Sequence, residues 1–282
     1  MFHSPGTPGQ EGLDALTRVG GVQMELPAFA RAMVLLDGYR QFQQRWKAER
    51  CAPAARAVGV AGCDRHTPLP ALLQAFGIRQ PGEVLVQDAD GAARAAAALG
   101  FPVAMKIDSP DIAHKTEAGG VVLSVDSQDA ARSAFARIME TVRVRAPQAR
   151  LAGVQIQQMA PPGREMIVGL VRDPDFGPMV MLGFGGIYAE VLRDTVFELS
   201  PLTLSQAGAM IERLRGVALL DGVRGEPAAD KAALARLLVA VGDMASQADL
   251  GIRELDLNPV IVYPEGQGLY AVDALLVRDG QD

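Results

Sequence analysis

Residues Val103–Val121 read VAMKIDSPDIAHKTEAGGV, and the rest of the chain is read outward from them. The stretch opens as a short strand. Val103, Met105 and Ile107 alternate on one face, and Lys106 projects from the other. Asp108, Ser109 and Pro110 end the strand. A polar loop with His114, Lys115 and Thr116 follows, and it closes on Gly119-Gly120 before a second strand, VVLSV. A lysine fixed on a strand, facing a loop with a histidine, a lysine and two glycines, suits the handling of a phosphoryl group. The cation neutralises charge, the glycines let backbone N–H groups approach phosphate oxygens, and histidine can accept phosphoryl on nitrogen. Taken singly, each residue is better read as ordinary: a solvated strand lysine and a loop histidine.

Composition narrows the class. The chain has 282 residues, 49% of them apolar and 21% charged, enough for one large or two modest domains with a proper core. A formal net charge of −6 with no dense basic run argues against nucleic acid as a partner. Cys51 and Cys63 lack metal-ligand spacing and read as free thiols of a reducing compartment. The opening MFHSPGTPGQEG has no apolar core of a signal sequence, and no apolar run is long enough to span a membrane. A cytoplasmic protein is expected.

Along the chain, residues 1–24 read as a flexible N-terminus and 25–66 as a helical extension and linker. In the extension Phe29, Met33, Leu36, Phe42 and Trp46 recur at helical spacing after Pro27. Thr67-Pro68 opens a short helix as N-cap and first-turn proline, and Gly77 closes it. GEVLVQ is a strand. Asp88 caps an alanine-rich helix ending at Leu99-Gly100, and Asp126 or Ser127 starts a helix that stops before Pro147. VQIQQM and REMIVGLV are strands joined by Pro161, Pro162 and Gly163, and PMVMLG leads to the loop Gly183–Gly186. Helices are expected at about Leu204–Leu214 and Asp230–Gln247. The end is a hairpin, IRELDLNPVIVY returning as GLYAVDALLV. Strands and helices in two halves, 67–160 and 161–282, give an α+β fold of two subdomains.

The hairpin is the second informative site. Alternation in ELDLNP puts Glu254, Asp256 and Asn258 on one face, and Asp273 lies on the returning arm. Oxygen ligands from paired strands suit a nucleotide-bound magnesium, which takes few protein ligands. From spacing alone, the solvated side of an edge hairpin is an equal reading. The Gly183–Gly186 loop offers N–H groups to an anion, although a tight turn without function is its ordinary explanation. His3 and His66 fall in the loose N-terminus and the linker.

Between Leu69 and Asp273 nine motifs run in order: ALLQAFGI, GFPVAMKI, SPDIAHKTEAGGV, VQIQQM, REMIVGLVRDPDFGP, GFGGIYAEVLRD, LLDGVRG, ELDLNPV and AVD. Together they resemble the ATP-grasp (β-type) subunit or domain of the nucleoside-diphosphate-forming acyl-CoA synthetases, the ADP-forming acetyl-CoA synthetase group related to succinyl-CoA synthetase. The resemblance implies an ATP-grasp fold with nucleotide bound between two α/β subdomains, and ATP/ADP and Mg²⁺ as ligands. It matches Lys106 to a phosphate-contacting lysine, Gln157 to the segment bordering the adenine, Glu165 to a glutamate near the ribose, and Gly185 and Gly186 to a loop near the transfer site. Gly119 and Gly120 belong to the same nucleotide-binding set. Asn258 and Asp273 match the metal ligands, Asp256 an acidic residue facing the phosphohistidine site, and His114 a histidine that relays phosphoryl from a partner's phosphohistidine to ADP. Glu117-Ala118 stands where many members have aspartate and valine. No glycine-rich turn for CoA is present, so the resemblance implies that CoA and the carboxylic acid are bound by an α-type subunit, in a hetero-oligomer, or by a domain outside these residues. Two rivals stand beside it: a nucleotide-sensing regulatory subunit of the protein-acetyltransferase type, and a non-catalytic scaffold. Intact Lys106, His114, Asn258 and Asp273 count against the scaffold.

Overall fold

The computed structural model describes residues 30–34, 36, 37, 40, 62–112, 115–187, 189, 193–223 and 225–280. The chain forms two compact units, Met1–Arg56 and Ala57–Asp282. In the first, the described residues are helical, and Arg40 pairs with Asp37 one turn away at 2.8 Å. That agrees with the helix expected around Met33 and Leu36. The N-terminus expected to be flexible, with His3, and Phe42, Trp46 and Cys51 lie outside the described residues, and so does His114.

The second unit is built on two antiparallel sheets. The smaller contains β1 (Glu83–Val86), β2 (Val103–Asp108), β3 (Val121–Val125) and β4 (Gly153–Gln158), in the order β1-β4-β2-β3. Helices α2 (Ala89–Leu99) and α3 (Gln128–Arg145) join its strands. Val86, Val103, Met105, Ile107, Val154 and Ile156 form one core with the buried faces of these helices. The alanines of α2 belong to that contact: Ala92, Ala93, Ala95 and Ala96 are buried, and their small side chains let α2 lie close. Asp88 caps α2 by accepting from the Gly91 N–H, and Ser127 caps α3 through Ala130, each worth about 1 kcal/mol.

The larger sheet runs β10-β8-β5-β6-β7, with β9 paired to β8. Its strands are β5 (Arg164–Asp173), β6 (Gly177–Phe184), β7 (Thr195–Leu199), β8 (Ile252–Val262), β9 (Leu269–Ala271) and β10 (Ala274–Arg278). One face packs on α4 (Leu204–Glu212) and α5 (Lys231–Ser246), with Met166, Val168, Leu170, Leu255 and Leu257 pointing into that core. The short helix α1 (Leu69–Ala75) belongs here too. Leu72, Leu73 and Ile78 are buried in the large sheet's core, whereas the sequence reading placed them in the first subdomain, 67–160.

Three further expectations change. Thr67 does not cap α1, because its hydroxyl closes an earlier turn with Asp64, accepting from the Asp64 N–H at 2.9 Å. Gly77 does close α1, at φ +72° with its N–H on the Gln74 carbonyl. Residues Thr195–Leu199 form an edge strand absent from the sequence reading. The returning arm of the last hairpin is two strands, β9 and β10, interrupted at Val272-Asp273.

Gly119-Gly120 closes the loop after β2 by close packing. A Cβ on Gly120 would run into the Ile107 side chain, whereas one on Gly208, in α4, would meet nothing within 4 Å. Gly120→Ala should therefore lower stability by about 1–3 kcal/mol, as overpacking does. Gly208→Ala should raise it by about 0.5–1 kcal/mol through helix propensity. Urea unfolding of the two variants checks both signs.

Candidate functional site

Lys106 lies in β2, one of the two central strands of the small sheet, opposite Val121 on one side and Gln155 on the other. It is 7% exposed, which rules out the solvated strand lysine. Lysines are rarely so buried without a partner. The partner comes from the other sheet: Lys106 Nζ lies 3.4 Å from Asp273 Oδ2.

Asp273 reaches that position because the chain leaves the β ladder there. Ala271 pairs with Val260 and Ala274 with Leu257, so the Val272-Asp273 break faces Asn258-Pro259. The break is held by the Val272 N–H on the Pro259 carbonyl (3.0 Å) and the Asn258 N–H on the Asp273 carbonyl (3.1 Å). Asp273 Oδ1 also accepts from the Ala274 N–H at 3.1 Å. Asn258 and Asp273 are thus immediate neighbours.

Alternation along β8 places Glu254, Asp256 and Asn258 away from the helices, as the sequence pattern requires. With Ile167, Gly169 and Met181 they line a cavity of about 330 Å³ on the large sheet's open face. Loss of water against the sheet, and then the nearby Asp273 carboxylate, push the Asp256 carboxyl above the ordinary aspartate range. Two mutually repelling carboxylates and an amide oxygen are a donor set for a hard divalent cation. Among the described residues no larger His, Cys, Asp or Glu cluster forms a cage. Magnesium fits the smaller set, because it keeps waters and phosphate oxygens as its other ligands.

Glu165 is the second residue of β5 and pairs with Ile261 of β8. Its carbonyl accepts the Gly185 N–H at 2.8 Å, and its carboxylate lies directly against Gly186, where a Cβ would collide with it. Glu165, Gly185 and Gly186 therefore form one corner. The other glycine pair behaves differently from the reading of open N–H donors. The Gly119 N–H donates to the Thr116 carbonyl and the Gly120 N–H to Lys115, so both are used inside the loop.

Gln157, expected beside the adenine, is 4% exposed, and its side-chain amide donates to the Val272 carbonyl (2.9 Å) and to Glu83 (3.2 Å). The sequence reading missed Glu83. It also missed the clamp on the His114 loop. Arg150 binds the Asp111 carboxylate through Nε (2.9 Å), NH2 (2.7 Å) and its backbone N–H (2.8 Å). These bonds hold the Asp111 carboxyl down to about 2. On the far side of the loop Arg145 donates to the Glu117 carbonyl at 2.9 Å. Partners so distant in sequence leave no local pattern to read.

The profile of a family described as ATP-grasp domain matches residues 66–277. The chain is 41% identical over 206 residues to the acetate–CoA ligase (ADP-forming) I subunit beta of Pyrococcus furiosus, covering 73% of this chain and 88% of that one. A trans-feruloyl-CoA synthase from an unknown prokaryotic organism is 42% identical over 206 residues, 73% of this chain and 29% of that one. Among solved structures, a Candidatus Korarchaeum cryptofilum dinucleotide-forming acetyl-coenzyme A synthetase 1 is similar with a TM-score of 0.63 and 36% identity, covering 73% of this chain and 88% of that one. That protein was solved with coenzyme A and Mg-AMPPCP, its phosphohistidine segment pointing towards the nucleotide-binding site.

The raised Asp256 carboxyl gives a pH signature. The folded chain binds this proton more tightly than the unfolded chain, so stability falls as pH rises from the ordinary value of 3.8 through the raised one, and the deficit persists above it. Without metal or nucleotide, Asp256→Asn should melt higher than wild type at neutral pH. The gap should narrow as pH falls toward about 4. Thermal melts across that range check it, and a gap independent of pH would contradict the assignment.

Proposed function

The chain belongs to the ATP-grasp family, and from that premise we propose that it is the β-type, nucleotide-binding component of an ADP-forming acyl-CoA synthetase. The overall reaction is acyl-CoA + ADP + phosphate giving carboxylate + CoA + ATP, reversibly. One observation carries the reading: a buried lysine of the small sheet meets an aspartate of the large sheet, beside Asn258 and Asp256.

Each residue has a role that follows from its chemistry. Lys106 is a fixed cation for the transferred phosphoryl, and being shielded from water it acts at a low local dielectric. Asn258 and Asp273 would hold Mg²⁺, which when bound offsets the charge of the nucleotide phosphates. Glu165 and the Gly185-Gly186 corner border the nucleotide. His114 takes the phosphoryl group. Its ring nitrogen forms the new P–N bond as the P–N bond of the partner's phosphohistidine breaks. A β-phosphate oxygen of ADP then attacks the same phosphorus and the His114 bond breaks, giving ATP and free imidazole. Asp256, with its raised proton affinity, faces the incoming histidine and orients its N–H.

The acyl and CoA chemistry belongs to an α-type partner. The lengths of the relatives support this: the same domain is nearly the whole of a subunit in one and under a third of a longer chain in another. A hetero-oligomer follows. Among the described residues no helix is long and apolar enough to cross a membrane.

Saturating Mg-ADP should raise the melting temperature of the full chain. A ligand at 100 times its Kd adds about 2.7 kcal/mol, and Lys106→Ala should remove most of the shift. An unchanged wild-type melt would refute the nucleotide site. With an α-type partner, CoA, acyl-CoA and phosphate, His114→Ala should abolish an acid-labile phosphate on this chain and stop ATP formation, while the partner still becomes phosphorylated. Near-wild-type ATP formation by His114→Ala would mean that phosphate passes directly from the partner to ADP.

A further inference from the structure

Two ties join the sheets at the same short segment. Lys106 reaches the Asp273 carboxylate, and Gln157 reaches the carbonyl of Val272, one residue earlier. Both start from one face of the small sheet. Gln157 stands opposite Ala104 in β2, two residues from Lys106, and opposite Glu83 in β1. Buried side-chain amides need hydrogen-bond partners. Here both partners are acceptors, a carbonyl and a carboxylate, so the NH₂ group must face them and the amide orientation is fixed by chemistry.

We infer that Gln157, itself oriented by Glu83, is a positioning residue that docks the Val272-Asp273 peptide against the small sheet and so sets the aim of the Asp273 carboxylate. The inference rests on the reading of Asp273 as a metal ligand. Strand pairing fixes only one edge of the Val272-Asp273 break, through Asn258 and Pro259. Its other carbonyl, that of Val272, points across to the small sheet and accepts there from the Gln157 side-chain amide. Rotation of that peptide would swing the Asp273 side chain away from both Asn258 and Lys106. Glu83 completes the relay by taking the second hydrogen of the same amide. Groups that orient a metal ligand typically alter metal affinity by about tenfold or more when removed. An adenine contact made by Gln157 would instead affect nucleotide binding with or without metal.

The test uses the full chain and calorimetric titration with ADP, once with Mg²⁺ and once with EDTA. Gln157→Leu should weaken Mg-ADP binding by about tenfold and leave metal-free ADP binding nearly unchanged. Glu83→Ala, at a partly exposed position that is safer for folding, should shift binding in the same direction by less. Glu83→Gln keeps an acceptor oxygen for the same donor and should restore most of the loss. Equal losses with and without Mg²⁺ would make Gln157 a base contact and overturn the inference, as would no loss in either variant. If wild type itself gains nothing from Mg²⁺, the metal reading fails separately. Amide exchange then decides the inference: residues 269–274 should exchange faster in Gln157→Leu and Glu83→Ala, and unchanged exchange would overturn it.

Discussion

A buried ammonium must have a counter-charge, and in this protein the counter-charge sits on a different sheet. Lys106 is nearly enclosed in the centre of the small sheet, and Asp273 belongs to the large one. An unpaired charge at that depth would cost several kcal/mol. The two sheets therefore have a defined relative placement wherever the pair is made. Each sheet covers one face with helices, and the polar residues of the site lie on the opposite faces.

The interruption between β9 and β10 is what makes the pairing possible. A continuous return strand would put residue 273 in the ladder, with its direction dictated by alternation. By leaving the ladder for two residues the chain keeps its partners at Asn258 and Pro259 yet frees the Asp273 carboxylate to reach past the sheet edge. Asp273 remains half exposed on its side chain while Lys106 is enclosed, so the pair has one face toward solvent and any arriving ligand.

What the sequence made legible was local. The caps at Asp88 and Ser127, the alternation of Glu254, Asp256 and Asn258, and the alanine face of α2 each follow from a spacing of two to four residues. The unread features share a different cause. Thr67 looked like a cap, but Asp64 competes for its hydroxyl. Gly119-Gly120 looked like an open N–H cradle, but Lys115 and Thr116 accept those donors within the loop. Residues Thr195–Leu199 alternate only between exposed and half-buried, the weak pattern of an edge strand, so the periodicity that marks central strands is missing. Gln157 was read by its place near the connection between the sheets, whereas its side chain is claimed by Val272, 115 residues away. Long-range partners decide how a polar side chain is used, and periodicity carries no record of them.

The charge balance of the site bears on the order of binding. Burial against the sheet, and then the Asp273 carboxylate, raise the Asp256 carboxyl, and the Lys106 ammonium meets Asp273. Two carboxylates so close repel one another at a distance where neither is fully screened. A divalent cation relieves that repulsion. On the proposed reading the Lys106–Asp273 pair would then have a second function. While no cation is present, Lys106 offsets the Asp273 charge. On the proposed function, a cation that took over that task would free the ammonium to face phosphate oxygens. On the proposed reading the same two residues would stabilise the unliganded arrangement of the sheets and, by exchanging partners, the liganded one, with nucleotide and metal as mutually dependent ligands of a single site.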